Sequence, residues 1–176
     1  ESPSLGRIEL VGISDRTDYD LMQHMKLSGQ SMEVNYNGRK FIPHVVEVAY
    51  GIDRPFYCVI ESCFRKDKER MYFEFPQDIA PYQAGIFPLV RKDGIPEKAG
   101  DVYASLKKKE ILCFHDAVGS IGKRYARADE IGIPYCITID YDTLKDDTIT
   151  LRDRNTREQR RVGIKDIADF LIKPSL

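Results

Sequence analysis

The sequence has no excess of charge of either sign and no long apolar run. It contains 27 Lys and Arg against 28 Asp and Glu, a net charge of −1. A nucleic-acid ligand would therefore have to bind local basic patches rather than respond to overall attraction. No apolar run approaches the roughly 18 residues of a membrane span, and the first residues do not have the pattern of a signal peptide. We expect no membrane partner and a cytoplasmic location.

Cysteine and histidine are too few and too scattered to predict a metal site. The four cysteines form no Cys-x-x-Cys pair and lie among apolar residues, and the three histidines show no ligand spacing. We expect the cysteines to be buried thiols of a protein in a reducing compartment. The chain begins with Glu1-Ser2 rather than methionine, which indicates a piece of a longer protein.

A strand, a glycine turn and a helix are predicted between Phe41 and Phe64. The β-branched and aromatic residues of 45–50 have the composition of a buried strand. Gly51 interrupts the strand, and Pro55 suits the first turn of a helix. From residue 56 onward the apolar residues recur at helical spacing.

Two charged residues, Glu47 in this strand and Arg54 at the turn, lie next to residues that are predicted to be buried. A buried charge needs a partner, a ligand or a metal, because desolvation without compensation is costly. The residues alone leave two alternatives open, a structural Glu47–Arg54 ion pair and a functional site.

The pattern Glu-x-x-x-Gly-x-x-Arg, from Glu47 to Arg54, resembles motif 3 of class II aminoacyl-tRNA synthetases in its glycyl-tRNA synthetase form. Three further blocks, in order, are similar to the anticodon-binding domain of the archaeal and eukaryotic type of glycyl-tRNA synthetase: residues 119–132, 138–142 and 150–154. The resemblance extends from Ile8 to about Ile167.

The resemblance implies a glycine–tRNA ligase, which uses ATP and Mg²⁺ to form glycyl-adenylate and transfers glycine to tRNA(Gly), as a homodimer. In that family the arginine at the position of Arg54 packs against ATP and is the expected catalytic residue. Glu9 and Leu10 stand where the family contacts the nucleotide. The expected glycine-binding residues are Glu47, Val48 and Ala49. Motifs 1 and 2 are absent from this chain, so the chain alone is expected to be inactive.

The match departs from the family at two places. The glycine-recognition triplet of the family is Glu-Pro-Ser, whereas Ala49 here has no hydroxyl group, and a small residue does not by itself exclude larger substrates. Residues 27–40 stand where the family usually carries a long insertion. This short join contains Asn37-Gly38, a strong hairpin signal, and it is either a natural or an engineered feature.

A non-catalytic alternative has the same resemblance. The accessory subunit of animal mitochondrial DNA polymerase resembles these synthetases without charging tRNA, and the loss of Glu-Pro-Ser points in that direction. The retention of Arg54 and Glu9 favours the ligase, because a binding subunit has no need of ATP ligands.

The predicted fold is α/β, in two domains. Residues 1–76 are read as the C-terminal part of an antiparallel class II catalytic core, and residues 77–176 as a mixed, mostly parallel five-stranded anticodon-binding domain. Strands alternate with helices after residue 82, which implies a mostly parallel sheet covered on both faces. The predicted strands are 84–90, 111–115, 135–140, 148–151 and 160–164, the last two as an antiparallel hairpin.

The expected tRNA-binding surface consists of two basic clusters. Gly119 to Gly122 open a helix whose free N–H groups could receive an anion. The residues expected to contact tRNA are Lys123, Arg124, Arg127, Arg152 and Arg154. Simple helix packing and a salt-bridged hairpin are the structural alternatives. Unpaired bases of RNA are read by stacking, and the stacking candidates are Phe114, Tyr125 and Tyr141.

Overall fold

The computed structural model describes residues 2–172, which form two compact units. The first unit ends at Ser62 and the second begins at Cys63. The division lies upstream of the boundary expected near Pro76, because the hairpin that follows residue 62 packs against a helix of the second unit. The functional division into residues 1–76 and 77–176 stays a prediction.

The first unit is built from four short strands and two helices. In chain order they are β1 (Val11–Asp15), α1 (Tyr19–Ser28), β2 (Val34–Tyr36), β3 (Arg39–Phe41), β4 (Val46–Tyr50) and α2 (Asp53–Cys63). Strands β1 and β4 form an antiparallel pair in which Gly12 lies opposite Ala49 and Ser14 lies opposite Glu47. Strands β2 and β3 form a separate antiparallel hairpin.

The β2–β3 hairpin turns at Asn37-Gly38, as the sequence predicts. Both residues have positive φ, 49° for Asn37 and 80° for Gly38, which is the requirement of the tight turn that suits a two-residue hairpin loop. All six strand residues of the hairpin are exposed.

Gly12 lies inside the first strand, although glycine usually weakens a strand or marks a bend in it. Strand β1 runs through Gly12 to Asp15, and the hydrogen bond from the Arg16 N–H to the Val45 carbonyl continues its pairing with the chain beside it. Pairing with β4 therefore overrides the local preference of the glycine.

The prediction of a buried strand at residues 45–50 is wrong for this unit. Every residue of β4 is exposed, and the side chain of Val48 is 64% accessible. Among the described residues, β4 pairs with β1 alone, so this sheet consists of two strands only.

The second unit contains a hairpin followed by an α/β sheet. Its elements are β5 (Phe64–Lys66), β6 (Met71–Phe73), β7 (Ala84–Pro88), α3 (Ile95–Lys108), β8 (Cys113–His115), α4 (Ile121–Ile131), β9 (Tyr135–Ile139), α5 (Thr143–Asp146), β10 (Thr148–Asp153), β11 (Gln159–Gly163) and α6 (Ile167–Ile172). Five strands form one sheet in the order β11-β10-β9-β7-β8. Strands β7, β8 and β9 are parallel and β10 is antiparallel to both neighbours. The predicted mixed, mostly parallel sheet with a terminal hairpin is confirmed.

Pro88 lies in β7, which pairs with β9 on one side and β8 on the other, although proline in a sheet is usually confined to edge strands. The proline is tolerated because it is the last residue of β7 and β8 pairs only as far as Ile86. The missing N–H of Pro88 therefore costs no hydrogen bond to β8, and proline at the end of a strand is compatible with a central position.

Helices cover both faces of this sheet. Helices α3 and α6 pack on one face through buried residues such as Val102, Leu106 and Leu171, and α4 packs on the other face around Phe87 and Ala128. Helix α3 begins at Ile95, and Pro96 fits its first turn.

The β5–β6 hairpin and the segment after it pack against α4. Gly132, which ends α4 with φ of 87°, lies under the ring of Phe75, and a Cβ at this position would meet Phe73 at 2.9 Å as well. Only glycine allows both this backbone conformation and this close approach.

A buried carboxylate ties three segments of the second unit together. Asp129 on α4 accepts two hydrogen bonds from Arg152 on β10, at 2.8 and 3.0 Å, and a third from Arg70 at the start of β6, at 2.7 Å. Asp129 and Arg152 are almost completely buried. Such a pair is costly to break, because the partner that remains is a buried charge without compensation.

Replacing Asp129 with asparagine should destabilise the second unit by about 3–5 kcal/mol, because Arg152 and Arg70 would lose the negative charge that offsets their desolvation. The measurement is the free energy of unfolding in urea, followed by circular dichroism. Asp142→Asn is the matched control, since Asp142 forms an exposed pair with Lys145 and exposed pairs contribute little. Equal, small losses for both variants would contradict the role given to Asp129.

Candidate functional site

Arg54 and Glu9 are in contact in the first unit, but the contact is made to the backbone of Glu9 and not to its carboxylate. The guanidinium Nη1 of Arg54 donates to the Glu9 carbonyl oxygen at 3.0 Å. The Glu47–Arg54 ion pair that the sequence left open is not formed. Glu47 instead lies 3.5 Å from Arg16, which also makes a two-pronged contact with Asp20 at 2.7 and 2.8 Å.

The triplet predicted to bind glycine is divided between the two faces of β4. Side chains alternate along a strand and directly opposite residues share a face. Glu47 and Ala49 therefore share a face with Ser14 and Gly12 of β1, whereas Val48 points to the other face.

The face with Glu47 and Ala49 also receives the carboxylate of Glu9. Its Oε1 lies 3.6 Å from the position that a Cβ of Gly12 would occupy, and the Cβ of Ala49 is 3.9 Å from that position. Glu9 and Glu47 thus lie on the same face as the small residues Gly12 and Ala49. Carboxylates in this arrangement could hold an ammonium group by charge-assisted hydrogen bonds. Leu10 is partly exposed beside this face. In residues 2–172, no three His, Cys, Asp or Glu side chains are placed to hold a metal ion together.

In the second unit, three of the five arginines and lysines predicted to bind tRNA are buried. Arg124, Arg152 and Arg154 are each at most 5% accessible. The guanidinium of Arg124 donates to the carbonyl oxygens of Pro88 at 2.6 Å and of Leu89 and Asp116 at 3.4 Å. Arg124 thus connects α4 to the carboxyl ends of β7 and β8.

Arg152 and Arg154 are likewise engaged inside the unit. Arg152 holds Asp129 and stacks over the ring of Tyr125 at 4.8 Å. Arg154 donates to the carbonyl oxygens of Gly132 and Phe75 at 2.8 and 3.0 Å. A direct contact of these arginines with RNA would require the loss of these bonds, so the geometry favours a structural role for Arg124, Arg152 and Arg154.

Lys123 on α4 is exposed, and Arg127 is half-buried. Arg127 donates its Nε to Asp116 at 2.9 Å, and its Nη2 contacts the same carboxylate and the Val118 carbonyl. Asp116 also accepts from the Val118 N–H at 2.7 Å. Burial works against ionisation of Asp116, but these hydrogen bonds outweigh it and hold its pKa below the ordinary value.

The loops that follow β7, β8 and β9 meet at one edge of the sheet. Arg91 donates to the Ala117 carbonyl, and Tyr141 donates to the carboxylate of Asp93 at 2.7 Å. This edge is the carboxyl end of the parallel strands. The chain passes from β7 to β8 on one side and then from β8 to β9 on the other side of β7, and such switch points are where α/β sheets bind ligands. Arg91 is not among the residues that the sequence predicts to bind tRNA, although the alternation of strands and helices was a sufficient signal for this edge.

A second concave surface lies between the β5–β6 hairpin, α4 and the β10–β11 turn. The groove has a volume of about 650 Å³, and basic and acidic side chains alternate around it. Arg157 on its rim forms ion pairs with Asp67 and Glu69, so much of its positive charge is compensated within the protein.

Comparison with known proteins agrees with this architecture. Residues 83–173 match the family model of the anticodon binding domain. Curated proteins similar to the chain include the glycine–tRNA ligases of Methanocaldococcus jannaschii (48% identical, covering 76% of this chain and 23% of the relative), Aeropyrum pernix (48%, 80% and 24%) and Clostridium beijerinckii (45%, 93% and 36%). The chain thus spans between about a quarter and a little over a third of the length of these relatives.

The relatives also bear on the short join at residues 27–40. The ligase of Clostridium beijerinckii covers 93% of this chain in an alignment of 170 residues, whereas that of Methanococcus vannielii needs 247 residues to cover 94%. The longer alignment therefore contains residues of the Methanococcus vannielii ligase that have no counterpart in this chain. A short form of this region therefore has a natural counterpart.

Replacing Asp116 with asparagine should destabilise the second unit by about 1.5–3 kcal/mol at pH 7, the scale of lost hydrogen bonds to a charged group, and the difference should shrink in acid. The folded-state pKa of Asp116 lies below the unfolded value of about 3.9. The contribution of the carboxylate is therefore complete above that unfolded pKa and is lost as the pH falls through the folded one.

Urea unfolding at several pH values between neutrality and strong acid measures this difference. Asp101→Asn, at an exposed position of α3, is the control and should differ little from the unchanged chain throughout. A difference for Asp116→Asn that stays constant with pH would show that the carboxylate charge is not what holds the loop.

Proposed function

Because the chain belongs to the anticodon-binding domain family over residues 83–173, we propose that it is the C-terminal part of a class II glycine–tRNA ligase. The observation that supports this proposal is the identity of 45–48% with glycine–tRNA ligases over most of the chain. In this proposal residues 77–176 bind the anticodon arm of tRNA(Gly), and residues 1–76 supply the motif 3 side of the active site.

The RNA-binding role is assigned to the carboxyl edge of the sheet rather than to its interior. Lys123 and Arg127 on α4 and Arg91 on the neighbouring loop supply the positive charge there, and contact with phosphates is the sequence-independent part of such binding. The buried Arg124, Arg152 and Arg154 act as positioning residues, which hold α4 and the strand ends in place.

The catalytic role is assigned to the first unit. Arg54 would clamp the phosphates of ATP, with Glu9 and Leu10 beside the nucleotide. Glu47 would hold the ammonium group of glycine over Ala49, while Val48 supports the strand from its other face. Positioning and charge stabilisation would supply most of the rate enhancement.

This arrangement could hold Mg²⁺ together with the phosphates of a bound ATP. Mg²⁺ is usually held by one or two carboxylates together with substrate phosphates, and Glu9 is the carboxylate that would meet it here. Its contribution would be to neutralise phosphate charge. We also propose a homodimer and a cytoplasmic location, on the resemblance to the family; no helix within residues 2–172 is long and apolar enough to span a membrane.

The chain should bind an anticodon stem-loop that carries a glycine anticodon more tightly than one with a scrambled anticodon, and both affinities should fall steeply with salt because lysine and arginine release counterions from phosphates. Lys123→Glu should weaken both complexes alike, since a phosphate contact carries no sequence information. Titrations at two salt concentrations measure these effects.

Lys107→Glu is the matched control for this titration. Lys107 is exposed on α3, on the face of the sheet opposite α4, and its reversal should have little effect. Equal affinity for both stem-loops would show that the binding is non-specific and electrostatic. No binding at low salt would remove the anticodon assignment.

In the complete ligase, Arg54→Ala should lower glycine-dependent pyrophosphate exchange about 10²- to 10³-fold, the usual effect of losing one preorganised charge donor. Arg39→Ala, at an exposed position of β3, is the control and should leave the exchange rate nearly unchanged. A loss below about tenfold for Arg54→Ala would show that Arg54 holds the Glu9 backbone and does not act as a catalytic residue. The 176-residue chain alone should show no exchange.

A further inference from the structure

Each of the three loops at the carboxyl edge of the sheet carries one exposed large apolar or aromatic side chain. Leu89 follows β7, Val118 follows β8 and Tyr141 follows β9, with accessibilities of 37%, 65% and 41%. We call these three residues the edge patch. Single exposed apolar residues need no explanation, but three from consecutive loops at a ligand-binding edge of an α/β sheet do.

The backbone of the edge patch is held in place by hydrogen bonds. The Leu89 N–H donates to the Ile139 carbonyl at 2.7 Å, which joins the first and third loops. Arg124 holds the carbonyls of Leu89 and Asp116, and Arg127 holds that of Val118. A ligand would therefore meet a preorganised surface and would not have to order these loops on binding.

The surroundings of the patch carry a surplus of positive charge. Arg91, Lys92, Lys123 and Arg127 lie on the same loops and on the first turns of α4. Four carboxylates lie on these loops, and each one faces a cation: Asp93 lies 3.6 Å from Lys92, Asp116 accepts from Arg127, and Asp140 and Asp142 pair with Arg161 and Lys145. The positive charges of Arg91, Lys123 and Arg124 are left in excess. An apolar surface bordered by cations suits single-stranded nucleic acid, in which bases stack while the backbone remains anionic.

Of the three aromatic residues considered for stacking, only Tyr141 is available. Phe114 packs in the core against Tyr82 and Phe87, with ring centroids 5.5 and 6.4 Å apart. The hydroxyl group of Tyr125 is hydrogen-bonded to that of Thr138, and the guanidinium of Arg152 lies over the ring of Tyr125. Within residues 2–172, neither an aromatic ring nor a guanidinium lies against the ring of Tyr141, and Asp93 holds its hydroxyl group.

We propose that the edge patch receives an unpaired base of the anticodon loop, which stacks on the ring of Tyr141 beside Leu89, while Val118 extends the apolar surface. This inference rests on the proposed binding of the anticodon arm and names the surface on which a base is held. It gives Tyr141 a role in contact with RNA and gives Arg124 a positioning role beneath it.

The test compares Tyr141→Phe with Tyr141→Leu in the full chain. Both substitutions remove the hydrogen bond to Asp93, so the two variants differ in the aromatic ring. The probe is a glycine-anticodon stem-loop in which each anticodon base in turn is replaced by the fluorescent base 2-aminopurine. We expect quenching at one position, retained by Tyr141→Phe and lost in Tyr141→Leu, which should also bind about tenfold more weakly, the scale of one lost stacking contact.

Tyr36→Leu is the matched control, because Tyr36 is 70% accessible on the β2–β3 hairpin and its loss should leave quenching unchanged. Equal quenching and affinity for the Phe and Leu variants would overturn the inference while leaving anticodon binding intact. No binding by the unchanged chain would overturn both. Thermal unfolding of each variant verifies that any loss of quenching comes from the ring rather than from the fold.

Discussion

Buried guanidinium groups determine how the second unit is put together. A guanidinium has five N–H donors and remains charged, so its burial is tolerated only where acceptors converge on it. Asp129 supplies such acceptors for Arg152 and Arg70 near the end of α4, and three backbone carbonyls supply them for Arg124 near its start. Helix α4 is thereby attached at both ends, to β10 and the β5–β6 hairpin on one side and to the ends of β7 and β8 on the other.

The same arrangement separates two kinds of basic residue on one helix. Arg124 is buried in the unit, whereas Lys123 is exposed and Arg127 is half-exposed at its surface. The inward arginine fixes the loops on which the outward charges and the edge patch are displayed. Rigid presentation reduces the entropy lost when a flexible RNA loop binds, which favours affinity without any additional contact.

Much of this fold could be predicted from the sequence, because the alternation of apolar strands and amphipathic helices after residue 82 admits few arrangements. The burial of Arg124, Arg152 and Arg154 could not be predicted, since arginines are mostly exposed and their carbonyl partners are distant in sequence. In the first unit, the composition of residues 45–50 correctly predicted the strand β4, but it did not predict that the strand is exposed. Once the strand is recognised, the alternation of side chains places Glu47 and Ala49 on one face and Val48 on the other. The proximity of the Glu9 side chain to Gly12 could not be predicted, because it depends on how the segments pack and local sequence does not contain this information.

The β2–β3 hairpin bears on how chain length varies among proteins of this kind. Its residues are exposed, and β1 and β4 pair with each other without using it. The entropic cost of closing a flexible loop grows by only about 0.6 kcal/mol for each doubling of its length. Residues added at the Asn37-Gly38 tip would therefore disturb neither the β1–β4 register nor the residues on its two faces. This hairpin is a position at which whole segments can be gained or lost in evolution while the geometry around Glu47 and Arg54 is inherited unchanged.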